Sequence, residues 1–448
     1  MSSAALKRVF CMSLGCSKNT ADSEKIAGTL SDYGFEMVGD AGSADIAIVN
    51  TCGFIRSAVE ENIAAILDLA ELKKGGRLKL VGVVGCLVAR YGDELKLGMP
   101  EVDFWAGCDD IGSILESAGA RGARVTGSVL RKRLPGDVSH VRYLKISDGC
   151  DNACSYCTIP AIKGSMRSRP TEDIVREAEV LAEDGAAEIC LVAQDLTAYG
   201  RDAGLHGGLV ALLDALESSL PRDMWLRLLY LQPSGVNRAL LERVAGGRQV
   251  LPYLDIPIQH AAPGVLKRMN RDGDPRKLAG IFRTARSIRP DFALRTTCMV
   301  GFPGETRSDF AALLRFVEEI CPDRMGAFAF SPEEGAAASD MPRQVSERVK
   351  KSRLCRLMSL QEDVSLARQN LFVGRELDVI LDSVGGGGVA EGRSFREAHD
   401  VDGVVDVMGL PEEISPGRKI RAVMTGASEH DMEARFLVFP PVGALTCS

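Results

Sequence analysis

The sequence predicts an α/β protein built in three parts: an N-terminal parallel-sheet α/β domain, a partial (β/α)6 barrel and a small C-terminal all-β barrel. Three observations carry that prediction. Short apolar runs alternate with amphipathic helical patterns up to about residue 118. After a basic stretch containing Gly and Pro, the alternation resumes with a longer, steady period as far as about residue 330. Beyond 370 the chain turns to Val- and Gly-rich runs separated by turn signals. Strands divided by helices imply parallel βαβ units, and short strands divided only by turns imply an all-β domain. A length of 448 residues accommodates about three domains.

In the first part, residues 7–119, strands are expected at Arg8–Ser13, Asp45–Asn50 and Leu80–Gly85, and helices around Ala21–Tyr33, Ser57–Leu72 and Asp109–Ser117. Residues 120–137 read as a linker. In the second, 138–370, strands begin near Tyr143, Glu188, Trp225, Tyr253, Phe292 and Met325, each but the last followed by a helical pattern. Six steady units suit a partial barrel better than a doubly wound sheet, and no chain remains for a full eight. A long charged helix, about Gln344–Asn370, leads out. In the third, 371–440, strands are expected at Leu377–Leu381, Val404–Met408 and Ile420–Met424, with a turn at Gly385–Gly388, giving a small barrel or sandwich.

Composition narrows the class. Apolar residues make up 46% and charged residues 26%, which excludes wholesale disorder. No run of 18 apolar residues is present, so no membrane-spanning helix is expected. The N-terminus shows no basic n-region, apolar h-region and cleavage site in succession, so a cytoplasmic location is expected. Lys and Arg total 54 against 61 acids, a net charge of −7 that argues against direct nucleic-acid binding. Residues 371–448 carry most of this, with seven basic side chains against thirteen acidic ones. Thirteen cysteines without an export signal point to metal or redox chemistry and away from structural disulfides.

The strongest chemical signal is Cys150-Asp-Asn-Ala-Cys154-Ser-Tyr-Cys157, a C-x3-C-x2-C triplet directly after the first barrel strand. Three thiolates on one tight loop can hold three irons of a cubane cluster and leave the fourth iron open to a substrate. Barrel chemistry sits on such loops. The alternatives are zinc and coincidence, but zinc ribbons prefer paired C-x2-C units, and no fourth His or Cys stands nearby. A second set is dispersed: Cys16, Cys52 and Cys86 each follow an expected strand and precede a helix. In a parallel sheet those ends converge on one crevice. One at a time, each reads as a buried apolar cysteine; their shared placement favours a second three-thiolate site. Cys11, Cys108, Cys190, Cys298, Cys321, Cys355 and Cys447 lack comparable placement and read as core or incidental residues.

The segments SLGCSKN, NTCGF, GCLVARY, ISDGCDNACSYCTIP, IKGSMRSRP, VAQDLTAYG, IPIQHA and VGFPGET together resemble the methylthiotransferases of the radical S-adenosylmethionine superfamily, from about residue 8 to the end. That resemblance implies a methylthiotransferase domain, a radical S-adenosylmethionine (SAM) barrel and a TRAM β-barrel, in this order. It implies two [4Fe-4S] clusters: one on Cys150, Cys154 and Cys157 that binds and cleaves S-adenosylmethionine, and one on Cys16, Cys52 and Cys86 that delivers sulfur. A reductant and a sulfur donor are implied as further partners. Tyr156 is expected to approach the adenine through its backbone. Val300 and Gly301 resemble the superfamily's adenine-binding strand end, with a plain turn needing Gly as the alternative. Gln194 and Asp195 lie where cofactor or substrate contacts cluster, with helix capping by Asp as the alternative. Gln259 and His260 end the fourth strand; a lone His reads as structural.

The family has two branches, one modifying an aspartate of small-subunit ribosomal protein S-12 and the other an adenosine of tRNA. An acidic tail repels phosphate and attracts a Lys/Arg-rich protein, and NTCGFIRSAVEEN and IPIQHAAPGVLKRM look like the ribosomal-protein branch. An iron–sulfur electron carrier or RNA-binding adaptor is the non-enzymatic alternative. Pro332–Asp340 lacks the Thr-Pro expected after EEG, and the four-glycine run at 385–388 is unusual; both are away from the cysteine motifs.

Overall fold

A computed structural model describes residues 7–120, 133–136, 138–271 and 273–437. Most of the linker expected at 120–137, the end of the third domain at 438–440 and Cys447 therefore lie outside the described residues.

The first domain is a five-stranded parallel sheet of order β2-β1-β3-β4-β5, formed by β1 (Arg8–Ser13), β2 (Glu36–Met37), β3 (Ile46–Thr51), β4 (Leu80–Gly85) and β5 (Phe104–Ala106). Four helices cover it: α1 (Ser17–Asp32), α2 (Arg56–Lys74), α3 (Cys86–Gly98) and α4 (Ile111–Ala118). β3 is buried along its whole length, the pattern of a central parallel strand covered on both faces. Because β1, β3 and β4 are adjacent and in register (Ser13 opposite Asn50, Thr51 opposite Gly85), their C-terminal ends stand side by side. The sequence patterns located β1, β3 and β4 but missed β5 and α3. β5 is only three residues long, and α3 is kinked at Tyr91, which breaks its helical period.

The second domain begins with β6 (Val141–Lys145), followed by a two-residue ribbon of β7 (Ser147–Asp148) and β8 (Arg167–Ser168) that brackets α5 (Ile159–Lys163). Then come α6 (Thr171–Glu183), β9 (Glu188–Val192), α7 (Gly208–Ser219), β10 (Trp225–Leu228), α8 (Arg238–Gly246), β11 (Tyr253–Asp255), α9 (Pro263–Arg268), α10 (Pro275–Ile288), β12 (Ala293–Val300), α11 (Arg307–Ile320), β13 (Arg324–Ala329) and α12 (Glu347–Asn370). The six long parallel strands fall into two triplets, β6-β9-β10 and β11-β12-β13. Backbone bonds from Leu226 to Gln249 and from Leu231 to Asp255 join them across the β10–β11 step. This is the partial barrel expected. Leu144, Ile189, Leu191, Leu226 and Leu294 face the helices in one core, while Tyr143, Cys190, Val192, Trp225 and Tyr253 fill the lumen in another.

The third domain closes into a barrel of order β14-β15-β16-β18-β17, with β14 (Glu376–Val384), β15 (Val389–Arg393), β16 (Val405–Met408), β17 (Lys419–Ala427) and β18 (Met432–Phe436). Closure settles the barrel-or-sandwich alternative. β15 was missed because Glu391, Gly392 and Arg393 leave it little apolar alternation, and β18, although Met432, Ala434 and Phe436 alternate with charges, is only five residues long.

Two buried seams fix the domains together. Along α1, Glu24 accepts from Arg142 at 3.0 Å and pairs with Arg133, while Asp22 pairs with Lys145 at 2.6 Å, so the helix is bound to β6 by charge. Beneath the lumen, residues 393–402 of the third domain act as a plug. Arg227 donates to the Phe395 carbonyl at 2.8 Å, Tyr253 to Asp402 at 2.7 Å, and Arg324 to Glu397 at 2.8 Å. Glu188 at the foot of β9 pairs with both Arg227 and Arg393. All these charges are buried, so each depends on its partner.

Removing one partner should therefore be costly: Arg142→Ala is expected to destabilise the protein by about 3–5 kcal/mol, measured as a shift of the urea midpoint. Burial raises the Glu188 carboxyl, but Arg227 and Arg393 outweigh it and hold it down at about 2, against 4.5 ordinarily. A depressed carboxyl stabilises above its unfolded value, and that contribution is lost as pH falls through the folded one. The thermal midpoint of Glu188→Gln should lie below wild type at pH 7, and the gap should close as the pH falls from about 5 towards about 2.

Candidate active site between two cysteine trios

The three strand ends of the first domain deliver three cysteines to one place. Cys16 is the N-cap of α1, Cys52 directly follows β3, and Cys86 opens α3. Two glycines make this approach possible. At Gly15, with φ +105°, a Cβ would stand 2.6 Å from the Cys52 Cβ; at Gly53 it would stand 2.7 Å from the Cys86 carbonyl oxygen. Side chains hold the loops in this arrangement. Asn19 donates to the Leu14 carbonyl at 2.8 Å, Asn62 to that of Cys52 at 2.7 Å, and Arg90 to that of Gly53 at 2.7 Å. Glu333, from the atypical Pro332–Asp340 loop, accepts from the Arg56 backbone at 3.2 Å and lies 3.6 Å from Arg90.

Opposite them, the loop of Cys150, Cys154 and Cys157 leaves the top of the barrel and is stapled on both sides. Cys150 N–H donates to Gly164 at 3.1 Å, Ser155 N–H to Met269 at 2.9 Å, and Asn270 donates to Ala153 at 2.7 Å. Asn152 contacts the Cys150 sulfur at 3.4 Å and donates to Asp195 at 2.9 Å. Burial raises the Cys52 and Cys150 thiols and pushes Cys86 and Cys157 up to about 11. A bound metal reverses this, since it displaces the thiol proton.

All six cysteines line one cavity of about 320 Å³, together with Gln194 and Tyr156. Asp195 lies just behind it, bonded to Asn152 and, at 2.6 Å, to Thr197; its carboxylate caps no helix. Tyr156 accepts from Arg271 at 3.1 Å. Val300 and Gly301 are not brought to this cavity: both are buried, Gly301 N–H donates to Glu305, and a Cβ on Gly301 would meet Lys350. His260 is buried, accepting from Ala262 N–H at 2.9 Å, and does not line the cavity. Of the other cysteines, Cys11, Cys108, Cys190, Cys298, Cys321 and Cys355 do not line the cavity, although Cys108 lies 3.6 Å from Lys163, which does.

Sequence reasoning passed over Lys18, Asn19, Tyr230, Gln232 and Arg271, which also line the cavity, and noted Gln259, which does too, only as a strand-end residue. Lys18 and Asn19 lie in the SLGCSKN segment, so proximity to Cys16 was a usable signal. Tyr230 and Gln259 follow β10 and β11 with φ of +66° and +68°, strained for such residues, and the Gln259 side-chain oxygen is buried without a partner. Nothing in one sequence marks those conformations.

Among the described residues no three His, Cys, Asp or Glu side chains are close enough to share one metal ion. Two all-thiol donor sets suit iron–sulfur clusters.

A partial barrel whose first loop carries C-x3-C-x2-C at a shared cavity defines a radical S-adenosylmethionine enzyme. The comparisons agree: residues 144–317 match the radical SAM superfamily, 8–107 an uncharacterized protein family, UPF0004, and 373–437 the TRAM domain. The chain belongs to the family of the ribosomal protein uS12 methylthiotransferase RimO. It is 41% identical to that protein from Anaeromyxobacter sp. strain Fw109-5 over 98% of this chain and 94% of the relative. It is also 41% identical to the Geobacter sulfurreducens protein, over 96% and 98% respectively. The fold is shared with the radical S-adenosylmethionine methyltransferase TsrM of Kitasatospora setae, at 17% identity and a TM-score of 0.52, over 72% of each chain. S-adenosylmethionine and [4Fe-4S] clusters are the cofactors of the chain.

Because Gly15 and Gly53 permit the loops to meet, Gly15→Val or Gly53→Ala is expected to lower the iron retained after anaerobic reconstitution by about half, with the cluster on the 150–157 loop kept. Iron analysis checks this.

Proposed function

We propose that the chain is a methylthiotransferase that replaces one hydrogen on the β-carbon of an aspartate of ribosomal protein uS12 with a methylthio group. The observation that carries this reading is the single cavity lined by both cysteine trios, one from each of two domains. In this reading Cys150, Cys154 and Cys157 would hold one [4Fe-4S] cluster, serving S-adenosylmethionine, and Cys16, Cys52 and Cys86 would hold a second, serving sulfur. When bound, these groups supply the carbon-radical chemistry, the sulfur and the methyl group.

The chain's own residues position and enclose. The stapled 150–157 loop keeps its three thiols on the barrel axis side of the cavity, and Arg271 fixes Tyr156 by bonding at once to its hydroxyl, to Gln232 at 2.7 Å and to the Pro257 carbonyl at 2.6 Å. Phe54, Ile159, Leu231 and Pro257 give the cavity apolar walls that keep bulk water from the carbon to be modified.

A protein substrate is favoured over a tRNA adenosine by the relatives' names and by the third domain. There Glu391, Asp406 and Glu433 are cross-strand neighbours on β15, β16 and β18. Burial, then the surrounding carboxylates, raises Asp406. Such a surface attracts a cationic protein and repels a phosphate backbone. We place the enzyme in the cytoplasm, with a reductant and a sulfur donor as further partners and without direct nucleic-acid binding. Among the described residues no helix is long and apolar enough to cross a membrane.

The test is mass spectrometry of recombinant uS12 after incubation with the reconstituted enzyme, reductant and S-adenosylmethionine. Gain of one methylthio group on an aspartate is expected; an unchanged uS12 beside a modified tRNA nucleoside would move the activity to the other branch. Cys150→Ala should abolish formation of 5′-deoxyadenosine, whereas Cys52→Ala should still form it while leaving uS12 unmodified, as chromatography of the nucleoside products would report.

A further inference from the structure

Four cationic side chains line the cavity between the cysteine trios: Lys18, Lys145, Lys163 and Arg271. Three have partners of their own. Lys145 lies 2.6 Å from Asp22 and 3.2 Å from Asp148. Lys163 lies 3.5 Å from Asp148. Arg271 spends its donors on Gln232, Pro257 and Tyr156. Lys18 differs. Among the described residues no carboxylate lies within ion-pair distance of it and no hydrogen bond is made by it; its ammonium rests 3.5 Å from the centre of the Tyr230 ring.

Tyr230 is held as a platform for that ammonium. Its backbone, in the strained conformation noted above, donates to Asp255 at 3.0 Å, and its hydroxyl lies 3.3 Å from the Ser17 hydroxyl. A ring face satisfies the charge of an ammonium but accepts none of its three N–H donors in the ordinary way. Lys18 is thus a fixed cation with hydrogen bonds still to make, two residues from Cys16 and facing the Cys150 loop across the cavity.

We infer that Lys18 receives the side-chain carboxylate of the substrate aspartate and so selects an acidic residue for modification. This rests on the aspartate reading given above. If the β-carbon is to be reached from both trios, the carboxylate one bond away must enter the same cavity. A carboxylate taken out of water needs a cation or it does not enter, and Lys18 is the cation there with no carboxylate within ion-pair distance among the described residues, Asp255 and Asp148 acting on it only from further off. A neutral base in the same position would leave the ammonium unpaired, which is discrimination by an unmet charge.

The experiment uses the full-length reconstituted enzyme and two uS12 peptides, one with the target aspartate and one with asparagine in its place, with affinities read by fluorescence anisotropy. Wild type should bind the aspartate peptide about tenfold more tightly than its asparagine twin, equivalent to about 1.4 kcal/mol. Lys18→Met should bind the two alike, at the affinity of the asparagine peptide, and Lys18→Arg should restore part of the preference. Such a coupling between one side chain and one substrate group is not produced by general loosening of the fold. A Lys18→Met enzyme that keeps the preference overturns the inference. So does one whose iron content halves, because Lys18 would then be serving the Cys16 site. Failure of wild type to methylthiolate the aspartate peptide would instead defeat the substrate reading, and with it this one.

Discussion

The arrangement depends on the charge seam along α1. Cys16 sits at the head of that helix, and everything about its distance from the barrel's own cysteine loop follows from how α1 lies on β6. Glu24 and Asp22 take Arg133, Arg142 and Lys145 as partners in a region closed to water. Buried pairs of this kind add little net stability compared with apolar packing, yet they tolerate no sliding, because a displaced partner strands a charge. The ion pairs permit one registration, and that registration places the two trios on one cavity.

The cavity is then completed by close approach. Loops from three adjacent strands meet only because Gly15 and Gly53 present no side chain, and the barrel loop keeps its shape through backbone bonds to the segment around Met269 and Asn270. The result is a site in which two sets of three thiols line one cavity. Burial favours the protonated thiol at Cys86 and Cys157, and metal displaces thiol protons on binding.

Much of this was legible in the chain. The six barrel strands start within a residue or two of where the sequence places them, because each is a mainly apolar segment bounded by a helical pattern or a turn. Cys16, Cys52 and Cys86 could be associated before any coordinates, since each follows a strand of one parallel sheet. What could not be read is informative too. β15 is masked by charges whose partners lie on another strand or in another domain, such as Arg393 on Glu188. α1 begins earlier than its apolar period suggests because its first turns bury Asn19, Asp22 and Glu24 against polar partners. Tyr230 acquires meaning only from three-dimensional placement, and Val300 and Gly301, which motif resemblance favoured, do not line the cavity.

The plug formed by residues 393–402 has a bearing on how this protein can be altered. Its backbone and side chains are the counterparts of Arg227, Tyr253, Arg295 and Arg324 on the barrel strands. The C-terminal domain is therefore not an appendage hung on a finished catalytic unit; it supplies the floor of that unit. Grafting a homologous domain from a relative with another target would transplant a specificity surface and a structural wedge together, so the two have to change in concert through evolution, and an exchange boundary drawn at α12 would cut through the catalytic barrel's own interior.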